Sequence, residues 1–542
     1  MARRIAAALG VDLVQWRVLV TAYLRMDFRS TAGATPARGA GKRASVPLLG
    51  MAFVMGITGF AFAMIGSAMP DPMLAATLLT TYGAISTAML LLVDFTGVVI
   101  SPTDYGVLGH RPVSSRTYFA ARLTSVLVYI SAISLSLALL PAGAFALRRG
   151  FGVSGFVAGI LSVLLCNASA TVLVIFLYAK LASVVHPRRL RRAMTYLQLA
   201  SAMTFYGAYY LMTTGFQGTA LTGVRFDEMR WLWLNPASWF AALVPLAGGV
   251  GTRHEWIAAT AAVVVAAACV PVAAGRLSLE YAATIGELTA SAEPVRRRRP
   301  WRWLSVPGFR RDEARAVALL VGAQFRYDQK FRLAILGLLP LMAFYLLLGL
   351  RQGALIDPIS DPERSGGAFT YMAVIFIPMT LHASLEYSDS FRAAWIFFAT
   401  PASAARLVVA AKNFATVFFL GGYLLVLAAI WSFTYERVWH AVLHAFVVGL
   451  LAHVLLQLAV ILRPGLPFSM QPRQGEHTGR MFVLFLVGGI AAAVISEFIP
   501  IIYTHASWTA VFVGAVLAVT AVIEYALRQR VTEAVGELEY VG

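Results

Sequence analysis

Apolar stretches of about 20 residues recur along this chain, and a run of that length crosses the hydrocarbon core of a bilayer as one α-helix. Twelve such intervals are read, at 46–69, 73–99, 123–147, 151–179, 193–214, 255–275, 333–350, 368–386, 407–434, 438–462, 481–503 and 508–527. In lipid each segment must satisfy its own backbone N–H and C=O groups, which a helix does. The expected fold class is therefore an all-α polytopic membrane protein with about 12 transmembrane helices. Composition points the same way: 59% of the 542 residues are hydrophobic, 13% are charged and the mean hydropathy is +0.73. A soluble protein of this size would need far more polar surface.

Orientation follows from where Lys and Arg fall. With the N-terminus inside, 36 of the 44 basic residues lie on the cytoplasmic side. The remaining eight are Arg148, Arg149, Arg225, Arg230, Arg253, Arg351, Arg364 and Arg437. This predicts cytoplasmic N- and C-termini in a bacterial cytoplasmic (inner) membrane, with Arg148 and Arg149 as a local violation. The first apolar interval follows some 45 Arg-rich residues without a cleavage-site pattern, so no cleaved signal is expected. The net charge of +18 needs no nucleic-acid partner. The runs Arg188–Arg192 and Arg296–Arg299 stand next to apolar intervals, where they act as topology determinants and contacts for anionic membrane lipids. Cys166 and Cys269 both fall inside apolar stretches and build neither a disulfide framework nor a metal cluster.

Two short patterns occur twice in the same order. Before the first interval stands Leu19-Val20-Thr21-Ala22-Tyr23-Leu24-Arg25-Met26-Asp27-Phe28-Arg29, and before the seventh stands Gln324-Phe325-Arg326-Tyr327-Asp328 with Phe331-Arg332. Both mix apolar and basic residues, as expected of a helix lying in the membrane interface. After the second interval of each half, Pro112-Val113-Ser114-Ser115-Arg116 with Arg122 is echoed by Pro401-Ala402-Ser403-Ala404-Ala405-Arg406 with Lys412. The matched order argues for duplication. Six spans per half makes the repeats parallel. The expected organisation is a cytoplasmic arm with an amphipathic elbow helix (1–45), a first six-span half (46–275), a basic linker with the second elbow helix (276–332), a second six-span half (333–527) and a cytoplasmic tail (528–542).

Several chemistries are excluded at this level. Gly39-Ala40-Gly41-Lys42-Arg43 is not a phosphate loop, because Pro36 and Arg43 stand where Gly and Ser or Thr are required. His440 and His444 share a helical face, but His453 lies on the far side of that helix, so no metal site is expected. Charged residues at membrane depth default to a functional reading. Asp94, His382, Glu386, Glu497 and Glu524 qualify, and His382 and Glu386 are one turn apart, as a proton-relay pair would be. Asp94, Glu386 and Glu524 stand near cytoplasmic ends, where water or a basic neighbour satisfies them, which favours structural roles. Glu497 is the better candidate for a cavity-facing group. As possible pathway or gating residues we retain Asp94, His382, Glu386 and Glu497.

Taken together, these patterns resemble the type-2 membrane subunits of ATP-binding-cassette (ABC) exporters. That family's half-unit has an elbow helix, six spans, a cytoplasmic coupling helix between spans two and three, and an outer re-entrant hairpin between spans five and six. Here 101–114 resembles the first coupling segment, Glu386–Arg392 leading through Trp395 to Ser403 the second, and Leu234–Leu243 the outer hairpin, with a shorter one near Ile495–His505. The resemblance implies an exporter permease that is not itself an enzyme and holds no cofactor. ATP and Mg would be bound by cytoplasmic ABC ATPase subunits, two copies by symmetry, coupled through Asp104, Tyr105, Leu108, Arg111 and Pro112 and through Phe391, Arg392, Trp395 and Pro401. Pro112 and Pro401 would end such helices and set the entry of the next span. The departure from the family pattern is the fusion of two half-units in one chain.

Two other readings compete. A twelve-span transporter of the major-facilitator kind would carry a Gly-x-x-x-Asp-Arg/Lys signature after span two, which Thr103-Asp104-Tyr105-Gly106 does not supply. A polytopic membrane enzyme or assembly protein would gather His, Asp and Glu at one membrane depth, and no such set is legible. The exported substrate cannot be read from fold-level resemblance.

Overall fold

A computed structural model describes residues 10–30, 46–98, 111–184, 196, 197, 200, 203, 207, 226, 230–274, 312–350, 355–364, 368–388, 391–462, 464–470, 492 and 494–535. The chain divides into two units, Met1–Val295 with Arg473–Phe482 and Arg296–Pro472 with Val483–Gly542. Among the described residues the architecture is helical, and the extended pairing is an isolated bridge between Tyr387 and Met470.

Unit 1 runs α1 (Leu13–Ser30), α2 (Val46–Ala68), α3 (Pro72–Val98), α4 (Ser115–Leu147), α5 (Gly152–Val184), two short helices α6 (Pro236–Ala241) and α7 (Leu243–Ala247), and α8 (Arg253–Ala274). Helix α4 packs on α1, α2 and α5, and α3 packs on α5 and α6. A Cβ at Gly59 would collide with the Leu137 carbonyl, so the absence of a side chain there lets α2 approach α4 closely. A buried polar seam also binds these helices. Asn167 on α5 donates to the Ser134 hydroxyl on α4 at 2.7 Å, and the Thr80 hydroxyl on α3 donates to the Ala237 carbonyl at 3.0 Å. Small polar residues serve such contacts because apolar side chains gain nothing by leaving lipid for a helix face.

Unit 2 runs α9 (Asp312–Tyr327), α10 (Gln329–Leu336), α11 (Leu338–Leu350), α12 (Ala368–Glu386), the short α13 (Trp395–Ala399), α14 (Ala404–Phe414), α15 (Gly421–Thr434), α16 (Val438–Leu462), α17 (Val494–Tyr503) and α18 (Ala506–Val535). A π-helical segment, Ala415–Leu420, joins α14 to α15 into one continuous span. Helix α16 packs on α12, α15 and α18, and α9 lies against α14. The core around α14 gathers Val317, Val321, Phe331, Leu407, Phe414 and Leu456.

Among the described residues, seven helices are long and apolar enough to cross a membrane, at Pro72–Leu92, Ser115–Leu147, Gly152–Tyr178, Arg253–Ala273, Ala404–Thr434, Val438–Leu462 and Ala506–Glu533. Large apolar side chains such as Leu135, Leu139, Leu173, Val511 and Val522 point outward from them, which is the arrangement a lipid solvent allows. Shorter apolar helices stand at Ala52–Ala68, Pro236–Ala247, Ala334–Gly349 and Val494–Tyr503. The interval at 368–386 folds as α12. Most of the interval read at 193–214, and most of that at 481–503, lie outside the described residues.

Two boundaries differ from the hydropathy reading for local reasons. Helix α4 starts at Ser115, eight residues before the apolar interval, because Ser114 caps it: the Thr117 N–H donates to the Ser114 hydroxyl at 3.2 Å. Arg116 and Arg122 therefore belong to the helix rather than to a loop. The interval at 333–350 is split between α10 and α11 at Gly337, which interrupts the helix.

Candidate functional site

The two amphipathic patterns fold as helices and dock on corresponding neighbours. In unit 1 the Asp12 carboxylate caps α1 by accepting from the Val14 and Gln15 N–H groups, and the Asp12 N–H donates to the Thr117 hydroxyl at 3.0 Å. The Gln15 amide donates to the Pro112 carbonyl at 3.3 Å, and the Trp16 indole N–H donates to the Thr124 hydroxyl at 3.2 Å. Tyr23 is buried under Arg122, whose guanidinium carbon lies 4.9 Å from the ring centroid. Arg25 faces outward, as do Val14 and Val18, a basic and apolar outer face suited to the membrane interface.

In unit 2, α9 holds α14 through Val317, Ala318 and Val321 and through an ion pair between Glu313 and Arg406 at 3.2 Å. Phe325 and Phe331 turn inward onto Phe419, while Arg326 and Tyr327 stay exposed. Six residues beyond Arg406, Lys412 is buried and paired with the Glu524 carboxylate of α18. The same carboxylate accepts from the Gln457 amide at 2.9 Å and from Arg528 at 3.4 Å. Arg116 and Arg122 in one unit, and Arg406 and Lys412 in the other, thus share a local arrangement. The first cation lies near the amphipathic helix, and the second is buried one and a half turns further along.

Of the residues assigned to coupling, Asp104, Tyr105 and Leu108 lie outside the described residues. Arg111 and Pro112 are exposed just before α4. On the second segment, Phe391 and Arg392 begin a 3-10 turn, Phe391–Ala394, that leads into α13. Helix α13 buries none of its residues, and it displays Trp395, Ile396 and Phe398 at the surface, ahead of an exposed Pro401. Glu386, Tyr387 and Ser388, at the start of that segment, are buried instead. A strap formed by residues 464–470 holds them: the Phe468 N–H donates to the Leu385 carbonyl at 2.7 Å, the Met470 N–H to the Glu386 carbonyl at 3.0 Å, and the Ser388 N–H to the Met470 carbonyl at 3.1 Å.

The pathway candidates scatter. Asp94 lies in α3. Glu497 is exposed on α17 and does not line the unit 2 pocket. His382 and Glu386 do come together, with Nε2 3.5 Å from Oε1, in a pocket also lined by Lys412, Val408, Leu456 and Gly465.

The stretch read as an outer hairpin, Leu234–Leu243, folds as α6 leading into α7. Asn235 starts α6 by accepting from the Ala237 N–H at 3.1 Å, and its amide donates to the Thr81 hydroxyl at 2.7 Å.

Three polar clusters were not singled out from sequence as units. Arg149 donates to the carbonyls of Pro70 at 2.9 Å and Gly66 at 2.7 Å, and also to that of Met69, locking the turn between α2 and α3. Burial pushes its guanidinium below the ordinary range, with Asp71 opposing. Asp357, in the loop ahead of α12, meets His440 Nδ1 at 2.5 Å and accepts from the Ile359 N–H and the Ser360 hydroxyl. Burial pushes this carboxyl up, but the hydrogen bonds from His440, Ile359 and Ser360 and the His440 charge outweigh it and hold the group below its ordinary value. One turn on, His444 shares a 3.0 Å hydrogen bond with the Tyr503 hydroxyl under the edge of Trp431. The two histidines share a face, as their spacing requires, yet each binds a separate protein partner.

No family model matches the chain, and no curated protein or solved structure matches it either.

Proposed function

We propose that this chain is the membrane-spanning permease of an ABC exporter, two half-units fused, with both termini cytoplasmic and ATP bound by separate ATPase subunits. The observation that carries the reading is α13. A five-residue helix in a connection between spans that buries nothing and exposes Trp395, Ile396 and Phe398 is shaped for a partner. The strap hydrogen bonds at Leu385, Glu386 and Ser388, with the Phe391 N–H donating to the Ser388 carbonyl at 3.2 Å, tie the start of this connection to the end of α12. The shared docking of α1 on α4 and of α9 on α14 supports a duplicated half-unit with an elbow helix. Among the described residues, the shorter apolar helices at Ala52–Ala68, Ala334–Gly349 and Val494–Tyr503, together with α12 and the interval at 193–214, leave room for twelve spans in two parallel sets.

The test is association. Tyr105→Ala, Arg111→Ala, Phe391→Ala and Trp395→Ala variants are expected to insert normally, to lose co-purification of a phosphate-loop ATPase and to lose transport. Aromatic and arginine anchors dominate contacts of this kind at about 2 kcal/mol or more each. If all four variants retain the ATPase as wild type does, these segments only join spans and the reading fails.

A further inference from the structure

Glu386 ends α12 as a carboxylate that is 2% exposed, at the end of that helix's apolar run. Such a group is costly in a membrane and marks function when the fold builds a site around it. Four features do so here. His382, one turn back, puts Nε2 3.5 Å from Glu386 Oε1. The strap 464–470 lies across the carboxylate, and at Gly465 an added Cβ would sit 3.1 Å from Oε1, so glycine lets the backbone close over this group. The other polar group of the pocket, Lys412, is bound to Glu524 on its far side. Finally, the pocket between His382, Glu386 and Lys412 has room for a water molecule or two and not for an organic substrate.

Among the described residues, ionisable groups stand on several elements packed around the site. Helix α14 presents Lys412, with Glu524 and Arg528 of α18 behind it. Helix α16 presents Gln457 to Glu524 and His453 to Thr416, away from the carboxylate. Asp328, ahead of α10, accepts from the Ser388 hydroxyl at 3.4 Å. The strap itself, Pro464-Gly465-Leu466-Pro467-Phe468-Ser469-Met470, carries no ionisable side chain.

We propose that His382 and Glu386 form a proton-binding site, capped by the strap and exchanging its proton with solvent through water in the pocket. The pair takes up one proton from solvent and gains one positive charge; deprotonation returns that proton to water. A water-sized pocket lined by a carboxylate, an imidazole and an ammonium group suits a proton, while a larger solute does not fit. Because the strap is hydrogen-bonded to the backbone at Leu385, Glu386 and Ser388, the protonation state acts on the chain entering Phe391–Thr400. Proton binding itself is independent of the exporter reading and needs no partner.

Infrared difference spectra of the purified full chain in lipid nanodiscs, recorded between about pH 5 and pH 9, test the site. Wild type is expected to show a protonated-carboxyl band that titrates in this window. Glu386→Gln, nearly isosteric, should abolish it, and Glu497→Gln, at an exposed position, should leave it unchanged. His382→Asn and Gly465→Ala should each move the midpoint by about one pH unit. The helical circular dichroism of every variant is compared with wild type. Absence of a titrating band in wild type, or its persistence in Glu386→Gln, overturns the proposal. Should Glu386→Gln fail to fold, His382→Asn decides: a midpoint equal to that of wild type overturns the proposal as well.

Discussion

The guanidinium of Arg122 lies 4.9 Å from the centroid of the Tyr23 ring, joining the amphipathic helix α1 to α4 over a separation of 99 residues. Both side chains are buried, in a cluster with Phe119, Ile130 and Tyr178. A cation on an aromatic face in a desolvated site contributes about 1–2 kcal/mol. Tyr23→Leu should therefore lower the thermal unfolding midpoint in detergent, whereas Tyr23→Phe keeps the ring and most of the stability. Equal losses in the two variants would assign the contribution to the Tyr23 hydroxyl.

Lys412, at the matching place in the unit 2 pattern, is paired instead with Glu524 of α18. Removing one partner of a buried pair costs about 3 kcal/mol, because the other charge stays buried. Lys412→Met should be strongly destabilising, and the double variant Lys412→Met/Glu524→Gln should recover much of the loss. A double-mutant cycle from chemical unfolding in micelles measures the coupling, and strictly additive losses would show that the pair is not coupled.

Arg149 is spent on the carbonyls of Gly66, Met69 and Pro70. Arg149→Met leaves those acceptors to other donors and is expected to cost about 2 kcal/mol. Its role is structural rather than topogenic, so cysteine-accessibility labelling should find the orientation of the variant unchanged. An inverted topology would contradict this assignment.

The Asp357–His440 contact predicts acid sensitivity. The Asp357 carboxyl is held below its ordinary value of 3.8 in the folded state, so its contribution is fully present above that value. It is lost as the pH falls through the lower folded value. Thermal unfolding followed down to about pH 3 should show a decline that Asp357→Asn flattens. Parallel pH profiles for wild type and the variant would place the acid-sensitive group elsewhere.

Hydropathy made the helical architecture of the described residues legible. Among the described residues, apolar runs of span length became helices because a helix in lipid needs only local composition. The mixed apolar and basic patterns around Tyr23 and Phe325 became amphipathic helices for the same local reason. The Pro-Ser patterns were legible as boundaries but not as contacts: that Ser114 would cap a helix and draw Arg116 and Arg122 into it depended on a hydrogen bond to Thr117. Of the polar residues picked out at membrane depth, His382 and Glu386 lie side by side because their spacing of four places them on one helical face. Glu497 passed the same composition test and turned outward.

What the sequence determined alone is what a segment can do by itself: lie in lipid, lie along its surface, or begin and end a helix. Which polar group meets which was decided by tertiary structure. Arg149 stood out in sequence only as a cation on the wrong side until a turn some 80 residues earlier supplied its carbonyls, and Lys412 was legible only as the echo of Arg122 until α18 brought Glu524 to it. Gly465 reads as an ordinary loop glycine until the strap is laid across Glu386. The physical reason is the same in each case. The free energy of a buried charge depends on the atoms within a few ångströms of it, and those atoms come from parts of the chain whose meeting no local pattern encodes.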